Sequence, residues 1–258
     1  MIIISGSVID INSIIGQYPE AGVERKIINI LSSSNIAYEY NSVNQLKFEL
    51  NLRKSIIANA KKLHNSKFSF RTFRDSKCNP NYWHRTNEGG FMLNTWVKPS
   101  NAIKDIYMNS SEYGTECATA IVIVYYGALV DIFPEQVFNS LFSGIYLMDW
   151  QHLDSDLGIS MYRNLVDYLP GDCRYFNNPD VNPLTPEWQG ENAIDLGDGT
   201  YYGHGIGIKT AEGIINALNR NRKSGAEISA YLTDTANRPN FKYLANIYYS
   251  FSPRLIVS

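Results

Sequence analysis

From Ala118 to Val130 the chain reads ATAIVIVYYGALV, thirteen residues without a charge, closed by Asp131. Such a run has to be buried, yet it falls short of the ~18–20 apolar residues that a membrane span needs. Its β-branched content leaves helix and strand open on periodicity alone, and its length tips the reading to a central buried helix. Just ahead lie Glu112, Gly114, Thr115, Glu116 and Cys117, a polar and flexible lead-in. If the run is a helix, Cys117 sits in its first turn, where unpaired N–H groups and the positive dipole end favour thiolate. Glu116 opposes this, because an adjacent carboxylate raises a thiol pKa. A cysteine in an apolar run is usually a small core residue. It becomes a candidate nucleophile only if histidine or acidic partners exist elsewhere in the chain.

The chain's 258 residues are 44% hydrophobic and 19% charged, enough for a sizeable core. A net charge of −2 supplies no basic field for nucleic acid or an anionic membrane. Cys78, Cys117 and Cys173 are too few and too scattered for a disulfide framework or a zinc site, so an intracellular origin is expected. The start, Met1 to Gly6, is apolar but short, without the basic segment or small-residue cleavage pattern of a secretion signal.

Along the chain, Ile2–Ile4 reads as a buried strand and Glu20–Leu31 as a helix opened by Pro19. Ser42 and Gln45 have capping-box spacing ahead of a longer helix with Leu46, Leu50, Ile57, Ala60 and Leu63 on one face. Lys47, Arg53, Lys54 and Lys61 are expected on its solvated face. Phe68 to Phe73 alternates like a strand, Asn87–Gly90 reads as a hairpin turn, and Pro99 opens a helix to about Met108. Glu135 follows a proline that starts another helix, and Ile145–Trp150 reads as a strand. Residues 151–170 show no pattern. Cys173–Phe176, Glu191–Leu196, Thr200–Tyr202 and Ala230–Leu232 read as strands, and Thr210 caps a helix over Ala211–Arg222. The tail is polar and aromatic without a period. With no repeats and no linker, a single α+β domain over residues 1–258 is expected.

The second informative region holds Trp188-Gln189-Gly190-Glu191-Asn192, then Gly197-Asp198-Gly199, then Gly203-His204-Gly205. A two-residue turn at either Gly197-Asp198 or Asp198-Gly199 places Glu191 and His204 on one face, opposite or diagonal to one another. A three-residue loop would break that pairing. Cys117, Glu191 and His204 together suggest nucleophile, base and orienter, the logic of covalent acyl transfer. The other histidines and Cys78 carry less: His64 ends a helix, His84 lies in a polar hairpin, and Cys78 is expected to be exposed and inert. Cys173 is expected in the core.

At these residues the sequence resembles the bacillary protein-glutamine γ-glutamyltransferases, the small transglutaminases of spore coats. The resemblance rests on MIIISG from Met1, FELNLRKSIIANAKKLH from Phe48, ECATAIVIVYY from Glu116, GDCRYFNNP from Gly171, WQGEN from Trp188 and HGIGI from His204. It weakens over residues 7–38, 151–168 and beyond Asp234. It implies a papain-like cysteine-protease-type core, with the cysteine on a central helix packed on an antiparallel sheet. It also implies a calcium-independent, cofactor-free monomer that cross-links coat proteins through ε-(γ-glutamyl)lysine bonds, first in the mother-cell cytoplasm and then in the coat. Carried over by motif, Cys117 is the nucleophile, Glu191 the principal base, Glu116 its partial substitute, and His204 the third papain-like position. Trp150, Trp188 and Phe70 match aromatics that line the family's substrate tunnel. No residue is expected to bind a metal, and neither nucleic acid nor membrane is an expected partner.

Two rival readings are a papain-like cysteine peptidase or amidase, with His204 as base and Glu191 as orienter, and a non-catalytic structural coat protein. Thiol reactivity separates the last from the enzymes, because a scaffold cysteine buried in a core resists alkylation.

Overall fold

The computed structural model describes residues 1–150 and 152–251; Gln151 and the end of the tail from 252 lie outside the described residues. Ile2–Ile4 (β1) pairs with Ser7–Val8 (β2) and runs parallel to Tyr38–Tyr40 (β3). Between them lie a short helix Asn12–Ile15 (α1) and Val23–Ser33 (α2), the latter starting four residues after Pro19. Val43–His64 (α3) begins where the capping pattern places it. The Ser42 side chain accepts from the Gln45 N–H, and Gln45 Oε1 reaches back to the Asn41 N–H at 2.8 Å.

The middle third carries Ser69–Phe70 (β4), the hairpin Trp83–Arg85 (β5) and Phe91–Leu93 (β6), and Pro99–Met108 (α4). The strand expected up to Phe73 is thus only two residues long, because a 3₁₀ turn takes over at Phe73–Asp75. Gly114–Thr115 (β7) pairs parallel with β4 and leads into Cys117–Ile132 (α5), then Glu135–Leu141 (α6) and Tyr146–Leu147 (β8). The apolar run is therefore a helix. Every residue from Ala118 to Leu129 is buried, as expected for a helix apolar all round. Gly127 explains how α3 comes so close: a Cβ there would stand 2.4 Å from the Tyr107 hydroxyl and 2.7 Å from Asn59 Oδ1.

The last third is one antiparallel sheet of order β13-β12-β11-β10-β14-β9. Its strands are Ser160–Arg163 (β9), Cys173–Asn177 (β10), Gly190–Asp195 (β11), Thr200–Gly203 (β12), Gly207–Thr210 (β13) and Tyr231–Arg238 (β14). Ala211–Asn219 (α7), capped by Thr210 as expected, covers one face, and α5 packs against β11 from the other. Phe241–Phe251 (α8) lies against α3, with Phe241 and Leu244 in the core. The fold class is α+β, with the cysteine-bearing helix central.

Three expectations are corrected. Arg53 is not on a solvated face. It is 1% exposed, bonded through Nε to Glu49 Oε1 and through Nη1 to Asp172 Oδ1, each at 2.8 Å. Arg238 grips the same Asp172 through Nε at 2.7 Å and Nη2 at 2.6 Å. Second, the patternless insert contributes the edge strand β9, and the aromatic tail contributes α8. Third, Cys78 is half-buried rather than exposed, and burial pushes its thiol up to about 11.

Candidate active site

Cys117 is the first helical residue of α5, and its N-cap is Glu116. The Glu116 carboxylate accepts from two of the orphan donors of the first turn: Ala118 N to Oε2 at 2.6 Å and Thr119 N to Oε1 at 2.7 Å. Such caps are ordinarily Ser, Thr, Asp or Asn. Here the longer side chain also holds a negative charge beside the thiol.

Across from the helix, Asn192 of β11 donates through Nδ2 to Cys117 Sγ at 3.6 Å. Tyr175 of β10 borders the same groove as the thiol. Neither Asn192 nor Tyr175 emerges as a site residue from sequence reasoning. The signal that could have found Asn192 is the turn. Leu196 N–H bonds Thr200 O, so the loop is the three residues Gly197-Asp198-Gly199, with both glycines in the left-handed region at φ +77° and +87°. Ala193 then faces Gly203, and the register continued one step sets Asn192, not Glu191, across from His204.

Glu191 still reaches the site, by a different contact from the one expected. Its side chain lies flat on Gly203, where a Cβ would stand 2.7 Å from Glu191 Cγ, and the His204 backbone N–H faces its carboxylate. The His204 imidazole turns elsewhere. Its Nδ1 bonds the Tyr202 hydroxyl at 3.0 Å, and its ring rests against Phe68 and Phe70. Glu191 Oε1 and His204 Nε2 are both buried without a hydrogen-bond partner among the described residues.

The charge balance follows from burial. Burial first, then the Glu191 and Glu116 carboxylates, push the Cys117 thiol well above its ordinary value, against the pull of Asn192. The helix dipole does not win, and the resting group is a thiol. Burial also pushes the Glu191 carboxyl well up, and the Glu116 charge pushes it further. Glu116 is raised by burial despite the three hydrogen bonds from Thr119 and Ala118 that lower it. Burial pushes His204 down to about 4, so its imidazole is neutral at pH 7. Among the described residues, no group of three or more His, Cys, Asp or Glu is placed to hold a metal ion.

In front of the thiol lies a groove of about 980 Å³, bordered by Phe70, Trp150, Tyr175, Asn192 and residues of β14. Phe70 also borders a smaller recess of about 290 Å³ beside His64 and His204. Trp188 does not border the groove. Its neighbours Glu187 and Gln189 do, while its ring packs on the cluster of Phe176, Ala193 and Ile214 beneath α7.

A family model described as protein-glutamine gamma-glutamyltransferase matches residues 1–248. The chain belongs to this family. A protein-glutamine gamma-glutamyltransferase of Bacillus cereus is 45% identical over 240 residues, covering 93% of this chain and 86% of that protein. One from Bacillus mycoides is 48% identical over 220 residues, covering 85% and 79%. Among solved structures, a transglutaminase from Geobacillus stearothermophilus without its C-terminal extension superposes with a TM-score of 0.77 at 50% identity. It covers 80% of this chain and 98% of that one. Membership makes the chain a transferase that acts on protein glutamine, and the fold is the papain-like one of the bacterial transglutaminases.

Proposed function

We propose that Cys117 carries the acyl group as a thioester, that Glu191 is the principal proton carrier, and that Glu116 partly substitutes for it. The observation that carries this is the placement of two carboxylates, with no ion pair to either among the described residues, around a thiol that burial keeps protonated. A free carboxylate of pKa ~4.3 is a poor base for a thiol near 8.5. Burial and the Glu116 charge lift the Glu191 carboxyl, which makes it a stronger base than a free carboxylate, and the two carboxyls and the thiol exchange protons as a coupled set. His204, already neutral and pulled down to about 4, has no comparable match to the thiol. We assign it to holding the strand end through Tyr202.

The thiol proton moves to Glu191 as sulfur attacks the glutamine carboxamide carbon. The C–N bond then breaks, ammonia leaves with that proton, and the thioester remains. A lysine amine attacks the thioester carbon, its proton goes to the carboxylate, and the thiol is regenerated as the isopeptide departs. Water at the thioester would give glutamate instead. The aromatic borders at Phe70 and Trp150 support an account in which water is kept from it. Trp188 shares this role only through the turn Pro186–Trp188, whose Pro186 and Glu187 border the groove.

The family resemblance further supports spore-coat proteins as glutamine donors and lysine acceptors, action in the mother-cell cytoplasm and then the coat, a monomeric enzyme and no need for calcium. The test is incorporation of a labelled primary amine into a glutamine-containing protein, with and without excess chelator. Incorporation in both arms is expected. Hydrolysis without incorporation would favour the amidase reading, and activity only with calcium would overturn the metal-free assignment.

A further inference from the structure

Thr119 is 1% exposed and sits in the first turn of α5, on the side away from solvent. Its backbone N–H is spent on Glu116 Oε1. Its hydroxyl oxygen accepts from the Asp149 N–H at 2.8 Å, which leaves the hydroxyl proton free to point at the Glu116 carboxylate. A threonine inside a helix commonly bonds back to a carbonyl of its own helix or faces water; this one does neither. On the far side of the link, Asp149 holds φ +39°, a left-handed conformation that is uncommon for a residue with a Cβ and persists only where neighbours impose it. The next residue is Trp150, which borders the groove.

We propose that Thr119 is a positioning residue, whose single hydroxyl ties the carboxylate capping the Cys117 helix to the turn that presents Trp150, so that the acid–base group and the groove wall hold one another in place. This rests on the reading of Cys117 as nucleophile and of the groove as its substrate site. The chain runs Asp149 N–H to Thr119 Oγ1, then Thr119 O–H to the Glu116 carboxylate. Each bond polarises the next, and the second is charge-assisted. Without the hydroxyl, Glu116 keeps its two backbone donors but loses the third. The Asp149 N–H loses its bond to Thr119, and the left-handed turn before Trp150 loses that tie to the helix.

The link also bears on protonation. The groups facing Glu116 are the Asp149 carboxylate, which pushes it up, and the Cys117 thiol and Glu191, both of which it pushes up in turn. His204 is uncharged above pH about 4 and adds nothing. The two carboxyls share one proton and one negative charge, so the acid limb of turnover reports protonation of the pair, Glu116 included. Removing the Thr119 hydroxyl removes a bond that lowers Glu116, so its carboxyl rises and the acid limb moves to higher pH.

The test compares Thr119→Val, which keeps the branched shape and loses the hydroxyl, with Thr119→Ser, which keeps the hydroxyl. Glutamine-donor kcat/KM, the ratio of hydrolysis to amine transfer, and the rate of Cys117 alkylation are each followed across pH in the full chain. Thr119→Val is expected to lose kcat/KM by about 10²-fold, the scale set by a small misplacement of reacting groups. It should also raise hydrolysis relative to transfer and move the acid limb up, and Thr119→Ser should restore all three. A folded Thr119→Val with the wild-type pH profile and the wild-type ratio would overturn the proposal, whatever its Tm. Should Thr119→Val not fold, Thr119→Ala is read in the same way. If neither folds while Thr119→Ser does, the hydroxyl is a stability requirement and the positioning role is rejected. Failure of the functional reading is distinct from this: the wild type would then incorporate no amine, while the alkylation profile would still report whether Thr119 acts on the cap.

Discussion

Two buried acidic clusters are built at neighbouring strands, Asp172 just before β10 and Glu191 in β11, and their surroundings differ in one respect. Asp172 and Glu49 are held by guanidiniums. Arg53 bonds both of them, and Arg238 bonds Asp172 twice. Burial alone would raise the Asp172 carboxyl, but the two arginines outweigh it and keep that carboxyl below its usual range. Glu191 and Glu116 are buried as well, but among the described residues no ion pair reaches either of them. Their company is a thiol, a few N–H groups and one another, and both are raised. Burying an ionised carboxylate without a counter-charge costs enough that the group neutralises instead. The first cluster is therefore a fixed tie between α3, β10 and β14. The second is a pair of carboxyls poised to exchange protons, the combination expected where chemistry is done.

The largest effect tests whether the uncompensated cluster serves the thiol at all. Cys117→Ala should reduce amine incorporation to background, a loss of at least about 10³-fold, with the unfolding midpoint unchanged or nearly so. Cys173→Ala and Cys78→Ala, which remove thiols of similar size outside the groove, should keep most of the activity. Residual turnover by Cys117→Ala would remove the nucleophile from the scheme.

Next come the carboxylates themselves. Glu191→Gln and Glu116→Gln should each lower glutamine-donor kcat/KM, together by more than either alone, within the ~10²–10⁴-fold typical of general acid–base groups. Because Glu116 is tied to two helix amides, its single variant should be the milder one. His204→Gln should be milder still. A double-Gln protein with nearly full activity would end the carboxylate scheme, and an inactive His204→Gln would return the imidazole to the role of base.

The two clusters were not equally legible in the sequence. The unbroken apolarity of 118–130 gave away the central helix, and a Glu-Cys junction at its start marked the site, because local signals sufficed. Glu191 came from its own motif, but its partner was misread because the register hung on a loop one residue longer than a tight turn. Asn192 was lost with it. Arg53 carried no local sign at all: at its position in the helix it looks like any solvated cation, and only the approach of Asp172, 119 residues later, shows that it is buried. A contact of that range leaves no periodicity to read.

Breaking the compensated cluster should reverse the pattern of effects. Arg53→Met should cost about 3–5 kcal/mol of stability, because Asp172 and Glu49 are left buried with too little positive charge. The kcat/KM per folded molecule should stay near wild type. Urea midpoints and turnover measured on the same preparation check this, and a large activity loss in folded protein would show that the two clusters are coupled.

The smallest effect is the sharpest on the contrast, because the two clusters should give stability–pH slopes of opposite sign. Asp172 has a folded pKa below its unfolded one, so its stabilisation is present above ~3.9 and is lost as pH falls through the folded value. Glu191 has a folded pKa well above its unfolded one. The native state then binds the extra proton, and the stability that proton supplies is full below about 4.3 and fades as pH rises towards the folded value. Glu191→Gln should therefore match the wild type near pH 4 and become progressively more stable than it towards pH 8. The gain should be about 1–3 kcal/mol, the cost of a buried group without a partner. Asp172→Asn should do the reverse, losing stability at neutral pH and approaching the wild type in acid. Unfolding midpoints of the three proteins from about pH 2 to 8 decide it, with the Asp172 change expected below ~3.9 and the Glu191 change above ~4.3. A Glu191→Gln variant that is less stable than the wild type at pH 8 would mean that the site carboxyl is compensated after all, and the distinction between the two clusters would fall.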